Sequence, residues 1–265
     1  MKISLGQFIP GTSFIHKLDP RTKFISMIAY MVAIMLIDNF IGYAFAGVFV
    51  IIVYLVSRLP IRYVLRSIRP VLFIVLFTVL LNLFIYDGET VVFKWKFIII
   101  YKEAIIYCVK IILRILLLVT GAALLTYTTE SSVLTNGLES LFSPLKIVRF
   151  PAHEIAMMMN IALRFIPIFA EELDRIVKAQ KARGVDFDTR NPIKKIRNYM
   201  PILIPLFVGA WKRAADLATA MNARGYRGGT GRTKYRILRF TFKDLIGAII
   251  IVFFVSSIVI MRILL

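Results

Sequence analysis

Apolar residues in this chain fall in long blocks: Thr22 to Ile37, Phe40 to Ser57, Val71 to Tyr86, roughly Ala104 to Tyr127, and Leu245 to Met261, with Phe242 as an earlier start of the last. The blocks hold between 16 and 24 residues. A helix needs about 20 predominantly apolar residues to cross a bilayer, so the pattern predicts about five transmembrane helices. Only Asp38-Asn39 separates the first block from the second, which predicts a tight helical hairpin. Ahead of the first block, Pro10-Gly11 and Asp19-Pro20 punctuate turns. Asp19 and Pro20 also form a helix start, with Asp as N-cap and Pro at the first helical position.

Two interruptions have a character of their own. Arg58, Arg62, Arg66 and Arg69 are spaced four, four and three residues apart, with no acid among them. That spacing puts them on one helix face and predicts a short amphipathic helix on the membrane surface, where anionic lipid attracts arginine. Farther on, Asp87-Gly88-Glu89 makes a turn, and Thr90 to Phe97 has strand propensity, which predicts a small hairpin. Its Trp95 suits a membrane interface. Inside the fourth block Lys110 and Arg114 share a helix face. Charges within a span face protein or water rather than lipid, so they are expected to pack against acids or carbonyls of a neighbouring helix, with a partner interface as the alternative.

From residue 128 to 242 the pattern changes. This block carries 19 Lys and Arg against 9 Asp and Glu, yet keeps apolar stripes. Thr128 to Lys146 reads as a capped amphipathic stretch, Ala152 to Ala182 as a long helix, and Asn198 to Ala223 as a second. Pro167 should kink the first. Both begin apolar and end amphipathic, so they could start in the membrane and extend out of it. Residues 228–236 read as a basic glycine-rich linker. Three regions result: 1–127 with the N-terminal segment and four spans, 128–242 as a cytoplasmic coupling domain, and 243–265 as the last span.

Composition agrees. The 265 residues are 59% hydrophobic and carry a net charge of +19, with a mean hydropathy of +0.78. A soluble domain is about 45–50% apolar. Cytoplasmic loops of membrane proteins concentrate Lys and Arg, so the N-terminus, 58–69 and 128–242 are placed inside and the 87–103 loop, with three Lys and three acids, outside. Five spans then leave the C-terminus outside. No cleaved signal peptide is evident. The single Cys108 permits no intrachain disulfide and reads as a small buried hydrophobe. Two histidines, His16 and His153, make no metal cluster.

Catalytic chemistry is missing. The glycine cluster at 225–231 comes closest to a phosphate-binding loop, but Gly231 is followed by Arg232 and has Tyr226 five positions before it. Glu171-Glu172, on a basic helix, is expected to form ion pairs. No span carries an acid at mid-depth, as a proton- or sodium-coupled carrier often would. Active transport through this chain would draw its energy from a partner.

One phrase occurs twice. Ala179-Gln180-Lys181-Ala182-Arg183-Gly184 and Ala220-Met221-Asn222-Ala223-Arg224-Gly225 each end a helix-favouring run, and their arginines lie 41 residues apart. Glycine after a helix suits the left-handed C-terminal cap. An arginine there is favoured by the helix dipole and can project into a carboxylate-lined groove.

At these residues the chain resembles the transmembrane T component of energy-coupling factor (ECF) transporters, ABC-type importers of vitamins and other micronutrients. The resemblance rests on Pro10 to Lys23, on Leu163-Arg164-Phe165-Ile166-Pro167 followed by Glu171 or Glu172 and the first Ala-Arg-Gly, and on the second Ala-Arg-Gly, in that order along the whole chain. It implies an L-shaped, all-α membrane protein with a coupling domain of long helices. It further implies that Ala182-Arg183-Gly184 and Ala223-Arg224-Gly225 dock two ATP-binding subunits, one each, so that ATP is bound by partners and the chain needs no cofactor or metal of its own. The coupling helices would cradle a small substrate-binding membrane subunit, with Met157, Met158, Met159, Leu163 and Pro167 at that interface, since methionine makes adaptable surfaces. A secondary carrier acting alone, motivated by Lys110 and Arg114, is the alternative. Nucleic acid is not an expected partner, because the basic residues are interleaved with acids and apolar stripes rather than set beside exposed aromatics.

Overall fold

A computed structural model describes residues 8–85, 88–95, 98–144, 150–187, 189, 191–228, 238 and 240–264, without side chains for 93–99. Helices α1 (Pro20–Met35), α2 (Phe40–Ser57), α3 (Ile61–Ile85), α4 (Lys102–Thr128), α5 (Ser131–Phe142), α6 (Ala152–Ala182), α7 (Pro192–Ala223) and α8 (Phe242–Leu264) follow in order, with a hairpin of β1 (Val91–Trp95) and β2 (Ile98–Tyr101) between α3 and α4. The strands pair antiparallel, with Trp95 opposite Ile98. The protein is an all-α membrane protein, with this hairpin the one sheet among the described residues. It folds as two compact units, Gln7–Gly137 with Leu238–Leu265, and Leu138–Ile237.

The first unit holds the main core. Tyr30, Ala33 and Ile34 of α1 pack with Tyr43 and Ala46 of α2, Leu117 of α4, and Phe254 and Ile258 of α8. Phe254 stacks on Phe49 with ring centroids 4.1 Å apart. Gly121 is required here, because a Cβ would clash with the Tyr30 ring. Polar groups inside the unit are spent on backbone. The hydroxyls of Tyr30 and Tyr54 donate to the carbonyls of Leu117 (2.9 Å) and Thr120 (2.8 Å). Lys23 donates to the Thr128 carbonyl at 3.0 Å, the Thr129 hydroxyl at 3.2 Å and the His16 carbonyl at 3.3 Å. It thereby covers the carbonyl end of α4, where the helix dipole favours a cation.

Asp19 caps α1 as its sequence predicts, accepting from the Arg21 amide, with Pro20 at the first helical position. Buried Asp244 then joins two helix starts. One oxygen accepts from the Asp19 amide at 2.6 Å and the other from the Thr241 amide at 2.7 Å. The N-terminal segment is fastened by the Ile9 amide to the Tyr127 carbonyl at 3.0 Å. Within it, His16 Nε2 lies 3.0 Å from the Ile9 carbonyl and Nδ1 lies 2.7 Å from the Ser13 hydroxyl. A carbonyl only accepts, so Nε2 carries the proton and Nδ1 accepts from Ser13. Gly11 permits this packing, since its Cβ would meet the His16 ring at 2.7 Å.

Arg114 behaves as expected of a charge within a span. It donates to the Ile37 carbonyl at 2.8 Å and to the Tyr43 hydroxyl at 3.1 Å, and Asp38 lies 3.9 Å away. Lys110 sits 5.7 Å from the centre of the Phe40 ring. Cys108 is buried and free, with its thiol 3.6 Å from the Val79 carbonyl.

Several expectations are corrected. The arginine stretch is not a separate surface helix: α3 runs from Ile61 to Ile85 with Pro70 inside, because the apolar face continues through the proline and only one intrahelical bond is lost to it. Five helices are long and apolar enough to cross a membrane, but they are α2, α3, α4, α6 and α8. α1, expected as a span, has 16 residues, about 24 Å of helix against a hydrocarbon core of about 30 Å, whereas α6, expected in the coupling domain, has the length and apolarity of a span. α7 begins at Pro192 rather than Asn198, capped by Asn191, whose side chain accepts from the amides of Ile193 and Lys194. Part of the amphipathic stretch (145–149), most of the basic linker (229–236), and residues 86–87 and 96–97 around the hairpin lie outside the described residues.

Candidate docking site

The site lies in the Leu138–Ile237 unit, on α6 and α7. These helices pack together and share one ion pair, Arg213 to Glu172, partly buried. Glu172 therefore forms the ion pair its sequence context predicts. Gly209, one turn before Arg213, lies beside that carboxylate, and a Cβ there would make ordinary contact with it at 3.5 Å. Near the start of α6, His153 pairs with Glu139 of α5 at 3.0 Å. The connection after α6 is held by buried Phe187, whose ring lies 5.4 Å from that of Tyr199 on α7.

Both helices end in the same way. α6 closes at Ala182, with Arg183 as C-cap and Gly184 at φ +84°. The Val185 amide donates to the Gln180 carbonyl at 3.1 Å and the Gly184 amide to Lys181 at 3.0 Å. α7 closes at Ala223, with Arg224 as C-cap and Gly225 at φ +70°. There Tyr226 donates to Met221 at 3.0 Å and Gly225 to Asn222 at 2.9 Å. Each is the paired six-to-one and five-to-two bonding of a Schellman cap, which needs a left-handed residue and so favours glycine. The two phrases are thus one structural device built twice. Ala182, Arg183, Gly184, Ala223, Arg224 and Gly225 are all exposed, and among the described residues neither guanidinium has a hydrogen-bonding or ionic partner.

The residues expected at a second interface lie elsewhere on α6. Met158 and Met159 are exposed, 58% and 43%, and so is Pro167, while Met157 and Leu163 are half-buried. From Met158 to Arg183 is 25 residues, about 37 Å along a helix axis. The structure therefore separates the methionine patch from the arginine cap. Sequence reasoning missed the larger apolar surface, which is on α7. Ile193, Ile196, Met200, Leu203, Phe207 and Trp211 are all exposed, between 48% and 78%. Their spacing of three, four, three, four and four residues puts them on one face. That spacing was available in the sequence, hidden under the prolines at 201 and 205.

A family model described as CbiQ, cobalt transport protein, matches residues 11–235. Relatives named energy-coupling factor transporter transmembrane protein EcfT are similar along nearly the whole chain. That of Ruminiclostridium cellulolyticum is 46% identical over 260 residues, covering 98% of this chain and 97% of its own. Those of Thermosediminibacter oceani (47% over 244 residues, 92% of each chain) and Bacillus subtilis (45% over 241 residues, 91% of each) are comparable. The chain belongs to this family, the multi-pass transmembrane T components of ECF transporters, which are non-catalytic subunits of a larger complex.

Proposed function

We propose that Arg183 and Arg224 each enter a groove on one of two ATP-binding subunits, and that the chain carries the ATP-driven movement of those subunits to a substrate-binding membrane subunit importing a vitamin or other micronutrient. Twin Schellman caps, each ending in an exposed arginine without a partner, carry this reading. A carboxylate-lined groove would engage such a guanidinium through two parallel charge-assisted bonds. ATP is held by the partners, and this chain needs no cofactor. The substrate subunit sits against the methionine-bearing part of α6 and the apolar face of α7. The N-terminus and both arginine caps face the cytoplasm, where the ATPases are, and the C-terminus faces outward.

Charge reversal tests it. Arg183→Glu with Arg224→Glu should leave the chain in the membrane but strip both ATP-binding subunits on affinity purification in mild detergent, and abolish uptake. Losing one buried charge-assisted pair costs about 3–5 kcal/mol, more than a hundredfold in affinity, so each single reversal should already lose much of one subunit. Recovery of the intact complex from the double variant overturns the proposal.

A further inference from the structure

The Gln7–Gly137 and Leu238–Leu265 unit contains a cavity of about 450 Å³ between α1, α2, α4 and α8. Its floor is aromatic, with Phe45, Phe49 and Phe254 stacked. It opens between α2 and α8, where the lining residues Val48, Ile52, Ile250 and Phe253 are 45% to 68% exposed. Both helices are long and apolar enough to span a membrane, so the mouth faces hydrocarbon. Apart from the Ser26 hydroxyl, the polar groups on the wall are already engaged: Tyr30, Tyr54 and Thr128 donate to backbone carbonyls, and Lys23 to three acceptors. A polar ligand would find little to bind, whereas a hydrocarbon chain would replace water against apolar surface at no polar cost.

One end of the cavity carries more cations than carboxylates, since its two acids, Asp19 and Asp244, are buried and bonded to backbone amides. The Asp19–Asp244 and Lys23–Thr128 bonds bring the starts of α1 and α8 together with the end of α4. The last turn of α2 lines the same cavity through Val56. At this end Lys17 lies between the lining residues Ile15 and Leu18, Arg58 two residues beyond Val56, and Lys243 four before Gly247. Among the described residues none of these three side chains has a hydrogen-bonding or ionic partner. Apolar walls open to the bilayer and cations at one end match an anionic phospholipid, with an acyl chain inside and its phosphate on the basic rim. We propose that this cavity is a binding site for one such lipid, a role independent of the docking of ATPases.

Native mass spectrometry of the full-length chain, delipidated in mild detergent and then titrated with phosphatidylglycerol or phosphatidylcholine, tests the proposal. The wild type should retain one phosphatidylglycerol, with roughly tenfold preference over phosphatidylcholine. Ser26→Phe, which extends a lining residue into the cavity, should retain neither lipid above background. Lys17→Gln with Arg58→Asn and Lys243→Gln leaves the walls intact, so it should still bind lipid but lose the preference; Asn tolerates the left-handed backbone of Arg58, at φ 55°. Equal retention of the two lipids by the wild type, retention by Ser26→Phe equal to wild type, or a second copy of the chain in place of lipid would each overturn it.

Discussion

The two units differ in what they leave unsatisfied. In the Gln7–Gly137 and Leu238–Leu265 unit, a buried lysine, two buried carboxylates and a set of tyrosines all find partners inside the unit, although the buried Ser57 hydroxyl and Arg21 Nε have no hydrogen-bond partner among the described residues. Its exposed apolar residues lie largely on helices suited to lipid. The Leu138–Ile237 unit buries few hydrophobic side chains, among them Ala152, Ala156, Phe187 and Ile202. It exposes a six-residue apolar face on α7 and, at matching helix ends, Arg183 and Arg224, which like several cations of the first unit have no partner among the described residues. Soluble monomers rarely expose contiguous apolar patches of more than a few hundred Å². The buried polar groups of the first unit are thus largely paired within it, whereas the second presents a surface that the proposed partners would cover. The proposed transmission of movement would need this division, with a fixed base and a surface whose contacts are made elsewhere.

The contrast breaks most readily on α7. Phe207→Asp with Trp211→Asp places two charges on the exposed face, where both residues are about 70% exposed. Substitutions at exposed positions usually move stability by no more than about 0.5 kcal/mol, so the isolated chain should melt as the wild type does. Retention of the substrate-binding subunit should nevertheless fall by two orders of magnitude or more, since each central aromatic contact in an interface is worth about 2 kcal/mol or more. Unchanged co-purification would mean that this face meets lipid or nothing, and the contrast between the units would fail.

In the other unit the same reasoning predicts the reverse. Asp244→Ala leaves the amides of Asp19 and Thr241 without their acceptor, one of them in a buried bond. Each unsatisfied buried donor costs about 1–3 kcal/mol, so the chain should lose roughly 3 kcal/mol and several degrees of melting temperature in detergent. Any ATPases that do assemble should still respond to Arg183 and Arg224 as before. A stable Asp244→Ala variant that fails only in assembly would show that the carboxylate serves the partners rather than the fold.

Local signals were the legible ones. Asp19-Pro20 announced α1, Gly184 and Gly225 announced two left-handed caps, and α6 spans the residues its apolar pattern marks. The same reading passed over Asn191-Pro192, a cap of the same chemistry, because the prolines farther along α7 drew attention to its middle. It also split α3 at Pro70, since proline is a helix breaker in the abstract but costs only one bond where tertiary or lipid contacts hold the helix. What no local pattern could supply was pairing over distance: Lys23 on the end of α4, Asp244 on the start of α1, Arg213 on Glu172. These depend on which helices become neighbours. The exposure of the α7 face was hidden for a similar reason, since periodicity shows that a face is apolar but not what it meets.

The smallest expected effect concerns the N-terminal segment and pH. Burial pushes the His16 imidazole below its ordinary value; the Ile9 carbonyl pulls partly the other way, and nearby Lys23 adds to the lowering. The fold thus prefers neutral His16, as the bond from Nε2–H to Ile9 requires. The unfolded chain takes up a proton at about pH 6.5, and the fold resists it until the pH is lower. Between those two points the unfolded state holds more protons, so stability rises with pH. The contribution of His16 is complete above the unfolded value and is lost as pH falls through the folded one. Melting curves from about pH 8 to about pH 5 should therefore show a decline that His16→Gln flattens, since glutamine keeps a donor for Ile9 but cannot titrate. Parallel curves for the two proteins would mean that the segment fastening α1 to α4 is indifferent to the charge on His16.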